Sequence, residues 1–233
     1  MFVTPSSPAS LWSGVVRTFR CVPAPMSPDD VKLRSEAFLR EHDIAVNPNL
    51  PILETLDELA PQSAVSVASR AVILSYVVGL GFGQTGARMK QPLVDFGLLD
   101  YVSPNELLLL EAPTLSEQDI INCAWLTECL QSFGYCLGLA EIAPFLPCDD
   151  ELASKFPPAF SDPSDFIAGA TLRSFDDIYA QADLHYRMHW AARNSRLTGA
   201  KCRVKEGFIA ERRKPLDWVI GVEADWDEVS MDT

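Results

Sequence analysis

A chain of 233 residues with 48% hydrophobic and 22% charged residues is long enough to bury a core and ordinary for a globular protein. Its formal net charge of -13 excludes a surface that tracks phosphate backbones, because non-specific nucleic-acid affinity comes from clustered Lys and Arg; the charge favours a basic protein partner instead. The most apolar run, residues 63–78, is shorter than the ~20 residues of a membrane crossing, so neither nucleic acid nor membrane is an expected partner.

Residues 1–25 contain four prolines, two arginines and no acid, and read as disordered or as a non-native start, with Met26 as the true beginning. Ser27-Pro28-Asp29-Asp30 supplies an N-cap, a proline at the first helical position and an acid at the third, which predicts a helix to about His42. Asn47-Pro48-Asn49-Leu50-Pro51 is then extended or turn-like, since each proline removes a donor and restricts its predecessor. The run 63–78 is a core helix or a buried strand. The choice matters because Gly81-Phe82-Gly83-Gln84-Thr85-Gly86 after it matches GxGxxG literally. A dinucleotide site also needs strand–helix alternation and an acid on a second strand. Asp100 has the right offset, but Pro92 interrupts the segment before it, so the glycines are expected to be a helix end and a loop.

Ser103-Pro104-Asn105-Glu106 and Ser116-Glu117-Gln118-Asp119 repeat the capping-box spacing. The first predicts a short helix to Glu111; the second predicts one that runs to Phe133 or beyond, with Ile120, Ala124, Trp125, Cys129, Phe133 and Cys136 near helical spacing. Residues 144–163 form a connector rich in prolines and acids, with a short helix expected at 149–155. The six cysteines include no CxxC pair and no zinc spacing, and Cys123, Cys129 and Cys136 are too far apart on one helix to bridge, so free thiols in a reducing cytoplasm are expected.

Residues 174–197 read as the helix around which the chain is arranged. Ser174 and Asp177 have capping-box spacing, and Gly199 suits a left-handed C-cap. One face carries Tyr179, Ala182, Tyr186, His189, Trp190, Arg193 and Leu197, and the other Leu184, Met188 and Ala191, which predicts a helix packed on two sides. Arg193 falls inside the aromatic stripe, and its carboxylate partner is expected from the C-terminal segments, with Asp227 the first choice. Residues 173–214 hold ten basic and five acidic residues, while the rest of the chain holds nine basic and twenty-seven acidic, a net -18; this basic strip is expected to face the chain's own acidic tail. Between them, at Pro215, the last helix must kink or start afresh.

Several of these stretches together resemble a known family. They are Arg34-Ser35-Glu36 with Asn47-Pro48-Asn49-Leu50-Pro51, Ala124-Trp125 with Glu128, Tyr186-Arg187-Met188-His189-Trp190-Ala191-Ala192-Arg193, Glu211-Arg212-Arg213 with Leu216-Asp217-Trp218, and Asp225-Trp226-Asp227-Glu228-Val229-Ser230 closing with Asp232-Thr233. Their order resembles the uncharacterised, mainly bacterial family filed as domain of unknown function 4272. The resemblance implies helix through 72–78 and carries no activity. Pro215 and Asp217 depart from the pattern, which has a helix-compatible residue and an asparagine there.

The chemistry-bearing residues admit two readings. His185 and His189 are four apart, as in helical zinc sites, but no HExxH is present and a third ligand would have to come from Asp217, Asp225 or Asp227, so neither a metal nor another cofactor is expected. There is no GxSxG. Tyr186, His189, Trp190, Arg193, Glu211, Arg212, Asp217 and Asp227 could meet where the last segments pack on the central helix, either as a ligand pocket or as an ion-pair network that locks the tail down. The expectation is a mainly α, single-domain multi-helix bundle over 26–233 with irregular proline-rich connectors, cytoplasmic, acting as a protein-binding or regulatory module. The alternative is an enzyme or small-anion binder that uses His189, Arg193, Arg212 and Asp227.

Overall fold

The computed structural model describes residues 27–55 and 57–233, so the reading of 1–25 lies outside the described residues. The fold is mainly α, with no strand among the described residues: α1 (Pro28–Glu41), α2 (Ala64–Gly81), α3 (Gly86–Asp95), α4 (Pro104–Glu111), α5 (Glu117–Trp125), α6 (Thr127–Cys136), α7 (Ser164–Ala168), α8 (Phe175–Thr198) and α9 (Glu206–Ile220), with 3-10 turns at Leu99–Tyr101, Leu152–Lys155 and Trp226–Glu228. Caps set most of the starts. Ser27, Ser103, Ser116 and Ser174 each accept the backbone N–H three residues on, and Ser103/Glu106 and Ser116/Asp119 complete the reciprocal box. Gly199 ends α8 at φ 73°, the left-handed conformation that a Cβ would penalise.

Neighbours follow one another through the molecule: α1 packs on α8, α8 on α9, α9 on α6, and α6 on α2, which is in turn surrounded by α3, α4, α5 and α7. The organising helix is thus α2 as much as α8. The reason is chemical. Val67, Ala68, Ala71, Ile73, Leu74 and Val77 are all fully buried and ask only for apolar neighbours, whereas α8 buries Asp183, His185, Arg187 and His189 through its middle and needs specific partners. By length and composition α2 could cross a membrane, but that apolar surface is spent on the surrounding helices.

The GxGxxG stretch is the end of one helix and the start of the next. A Cβ on Gly81 would lie 2.3 Å from the Ala124 backbone nitrogen, and one on Gly86 would lie 2.1 Å from the Leu110 carbonyl oxygen. These glycines therefore let α2 and α5, and α3 and α4, approach backbone to backbone. The helix expected from Ser116 to Phe133 and beyond is divided: α5 stops at Leu126, whose N–H turns back to the Ala124 carbonyl, and the Thr127 hydroxyl donates to the same carbonyl at 2.9 Å. Pro215, by contrast, does not divide α9. The proline leaves the Glu211 carbonyl without its i+4 donor, and the Cys129 thiol lies 3.0 Å from that oxygen, while the Ser132 hydroxyl donates to the next carbonyl, Arg212, at 2.9 Å.

Substitution tests the backbone approaches. Gly81→Ala and Gly86→Ala should each destabilise by about 2 kcal/mol or more in urea unfolding, because backbone atoms would have to move. Gly207→Ala, in α9 with nothing within 4 Å of the added carbon, should be neutral or stabilising by up to ~1 kcal/mol. Equal effects at the three positions would contradict the close-packing account.

Candidate functional site

Three arginines are buried in the layer formed by α6, α8 and α9, each beside its own carboxylate. On α8 the Arg187 fork donates from Nε to Asp183 Oδ2 at 2.9 Å and from Nη2 to Oδ1 at 2.7 Å, one turn back on the same helix. Nη2 also donates to the Pro51 carbonyl at 3.0 Å, and the Tyr179 hydroxyl lies 3.1 Å from the carbonyls of Leu53 and Glu54. With Lys32 on the carbonyls of Pro48 and Leu50, these donors fasten the proline-rich 47–55 segment across α1 and α8.

Arg212 is fully buried on α9. Its Nε donates to Glu128 Oε2 on α6 at 2.8 Å, Nη1 to the Ala143 carbonyl at 2.8 Å and Nη2 to the Leu146 carbonyl at 2.9 Å. Glu128 Oε1 accepts the Cys148 N–H at 3.1 Å, and Gln131, one turn on, accepts the Asp149 N–H at 3.0 Å. Arg213 bonds to Asp217 Oδ2 at 2.8 Å, to His189 Nδ1 at 3.2 Å and to the Asp232 carbonyl at 2.9 Å, with the Tyr186 ring 4.9 Å from its guanidinium.

The eight residues singled out from the sequence do not gather in one place. Tyr186, His189 and Asp217 surround Arg213; Arg212 belongs to Glu128; Glu211 sits beside Cys129 with its carboxylate 3.2 Å from the sulfur. Trp190 is half-buried among apolar residues. Asp227 lies elsewhere, accepting the Ser103 hydroxyl at 2.8 Å and the Asn105 N–H at 3.0 Å at the start of α4. Arg193 does not reach it: its carboxylate neighbour is Asp232 at 3.9 Å, and the two side chains are 39% and 95% exposed. Among the described residues the basic strip meets the acidic tail at Asp232, through Arg193 and Arg213, and at Trp226, whose ring lies 4.4 Å from the Lys214 ammonium; its other arginine partners are Glu141, Asp183, Glu206, Glu128 and Asp217, which lie in the helices and connector. Arg187, Arg213 and Glu128 were missed as candidates, although Asp183/Arg187 and Arg213/Asp217 carry the helical i, i+4 spacing that could have found the first two. Among the described residues no group of three or more His, Cys, Asp or Glu could hold a metal ion.

A concave site lies where the sequence offered no signal. The connector 148–160 leaves Glu128 and Gln131 and closes over α2, α3 and α6, leaving a groove of about 650 Å³. Tyr76, Met89, Leu130, Phe156 and Phe160 make it mainly apolar, and Arg88, Asp149 and Asp150 are the charged residues of its lining. Its volume and its few polar groups are those of a ligand site. Around it Phe82 is 65% exposed, and Ile121 and Trp125 are exposed on α5, next to the point where Gly81 touches Ala124. Apolar surface thus extends beyond the groove itself.

The two ion-pair environments predict different costs. Arg212→Ala should destabilise by about 3 kcal/mol or more, since it leaves Glu128 buried and two carbonyls without donors, whereas Arg193→Ala should stay within about 1 kcal/mol. Unfolding curves that rank them the other way would contradict the geometry.

Titration supplies a second check. Burial lowers His185 to about 4, and burial together with Arg213 lowers His189 to about 4, while burial raises Asp217 to about 7 against the pull of Arg213. Histidines held neutral lose stability as pH falls from their unfolded value of 6.5 toward 4. A raised carboxyl acts in the opposite sense, contributing stability below its unfolded value of 3.8 that is lost as pH rises through about 7. Two histidines against one aspartate leave a net loss on acidification from about pH 6.5 to about pH 4.5. Asp217→Asn removes the opposing part, so its stability should fall more steeply over that range than the wild type's; parallel curves would show that Asp217 does not titrate there.

Neither a curated protein nor a solved structure matches the chain. The sequence pattern described as Domain of unknown function (DUF4272) does, over residues 31–229, a span that runs from the first turn of α1 to the tail turn around Trp226. The chain therefore belongs to the DUF4272 family.

Proposed function

We propose that this chain is a binding or regulatory module that docks a basic protein partner, with the groove under the 148–160 connector taking apolar side chains and the carboxylates of its lining meeting cations. The observation that carries this reading is the coincidence, in a chain of net charge -13, of a mainly apolar groove with Asp149 and Asp150 and the exposed aromatics Phe82 and Phe160 in its lining. Long-range charge steers a basic partner toward such a surface, and a few apolar anchors in a desolvated groove supply most of the affinity. Ile121 and Trp125 are exposed apolar residues outside what the groove itself encloses, which favours a macromolecule as occupant. The free thiols of Cys123, Cys129, Cys136, Cys148 and Cys202 suit a reducing compartment, so the reading includes a cytoplasmic setting.

Affinity capture from native lysate tests it. The immobilised chain should retain basic proteins at about 50 mM salt and release them near 500 mM, and the Asp149→Lys/Asp150→Lys variant should retain at most about a tenth as much. Recovery of the same proteins in the same amounts by the variant would overturn the reading.

A further inference from the structure

The groove and a second cavity share two lining residues, Arg88 and Phe160, and the second of these is strained. Pro157 and Pro158 lead the connector to Phe160, whose φ of 67° is left-handed. For a bulky L residue this conformation is strained and persists only where surrounding contacts hold it. Three contacts do so: the Phe160 N–H donates to the Tyr76 hydroxyl at 3.2 Å, the two rings meet edge to face at 6.2 Å, and the Arg88 guanidinium lies 5.0 Å over the Phe160 ring. The ring nevertheless remains 46% exposed, so burial does not account for the strained backbone. The second cavity, of about 360 Å³, is bounded by Gln91, Pro92, Asp95 and Phe96, and Arg88 and Phe160 bound both spaces.

We propose that these two cavities are halves of one docking trough, and that an apolar segment flanked by lysine or arginine, from a partner protein, occupies both by displacing the Phe160 strap. This rests on the docking reading above. Charge complementarity picks the occupant: Asp149 and Asp150 line the groove and Asp95 lines the second cavity, three carboxylates against the one cation of Arg88. The joined volume, ~1,000 Å³, is at the upper limit of small-molecule sites and accommodates several side chains. Displacement is favoured by release of the left-handed conformation at Phe160 and opposed by the Tyr76 hydroxyl, so the free protein holds the strap closed and the partner segment selects the open form.

The probe is a fluorescein-labelled amphipathic peptide of leucine and lysine, with binding read by anisotropy. Phe160→Ala removes the ring's contacts with Tyr76 and Arg88 and keeps the left-handed strain, and Tyr76→Phe removes the latch; each should bind the peptide about five-fold more tightly than the wild type. Asp95→Asn should weaken binding about three-fold. Melting curves confirm that each variant is folded, and Phe160→Ala serves if Tyr76→Phe is not. Binding by the wild type with unchanged affinity in Phe160→Ala and Asp95→Asn would overturn the gate and leave the docking reading standing. No binding by the wild type or by Phe160→Ala would overturn both.

Discussion

The guanidinium of Arg212 is completely buried, and a charge in that position has to be answered in full. Glu128 answers it from α6, and the carbonyls of Ala143 and Leu146 answer it from the connector, so one side chain joins two helices and a loop. The other oxygen of Glu128 holds the Cys148 N–H, and Gln131 holds the Asp149 N–H and donates to the Glu141 carbonyl. Replacing such a pair with apolar residues often costs little, so its value lies less in stability than in fixing one arrangement. Here the arrangement fixed is the path of the connector, and that path makes the wall of the groove.

The other buried arginines do the same for other segments. Arg187 and Tyr179 hold the 47–55 segment by its carbonyls, and Arg213 holds the chain end through the Asp232 carbonyl. Trp218 and Trp226 pack edge to face at 5.9 Å, and Trp226 and Val229 are the buried residues of the tail. Irregular segments lack partners for their carbonyls within a ladder, so long cationic side chains reaching out of the helices supply the donors. An acidic protein with three buried arginines is the outcome, each of them answered by a carboxylate that is buried with it.

Local grammar made most of the fold legible. The serine caps at 27, 103, 116 and 174 stand where their spacing put them, because a cap depends only on residues within one turn. Long-range pairs were not legible. Glu128 and Arg212 are 84 residues apart, Ser103 and Asp227 are 124 apart, and neither pair has a local signal. The helical wheel placed Arg193 on the apolar stripe of α8, but a wheel gives the direction of a side chain and not how far along the axis its neighbours extend; beyond Ala192 the helix runs out toward solvent, with Leu197 68% exposed. The groove was illegible for a further reason: its walls come from α2, α3, α6 and the connector, and only the third dimension brings them together.

Amide hydrogen exchange on Glu128→Gln tests most directly whether the buried pair positions the groove. The neutral amide keeps the size of the side chain and weakens its hold on Arg212, so exchange across residues 143–160 should rise at least ten-fold while the amides of α2 keep their protection. Unchanged protection in the connector, or an equal rise throughout the bundle, would contradict the account.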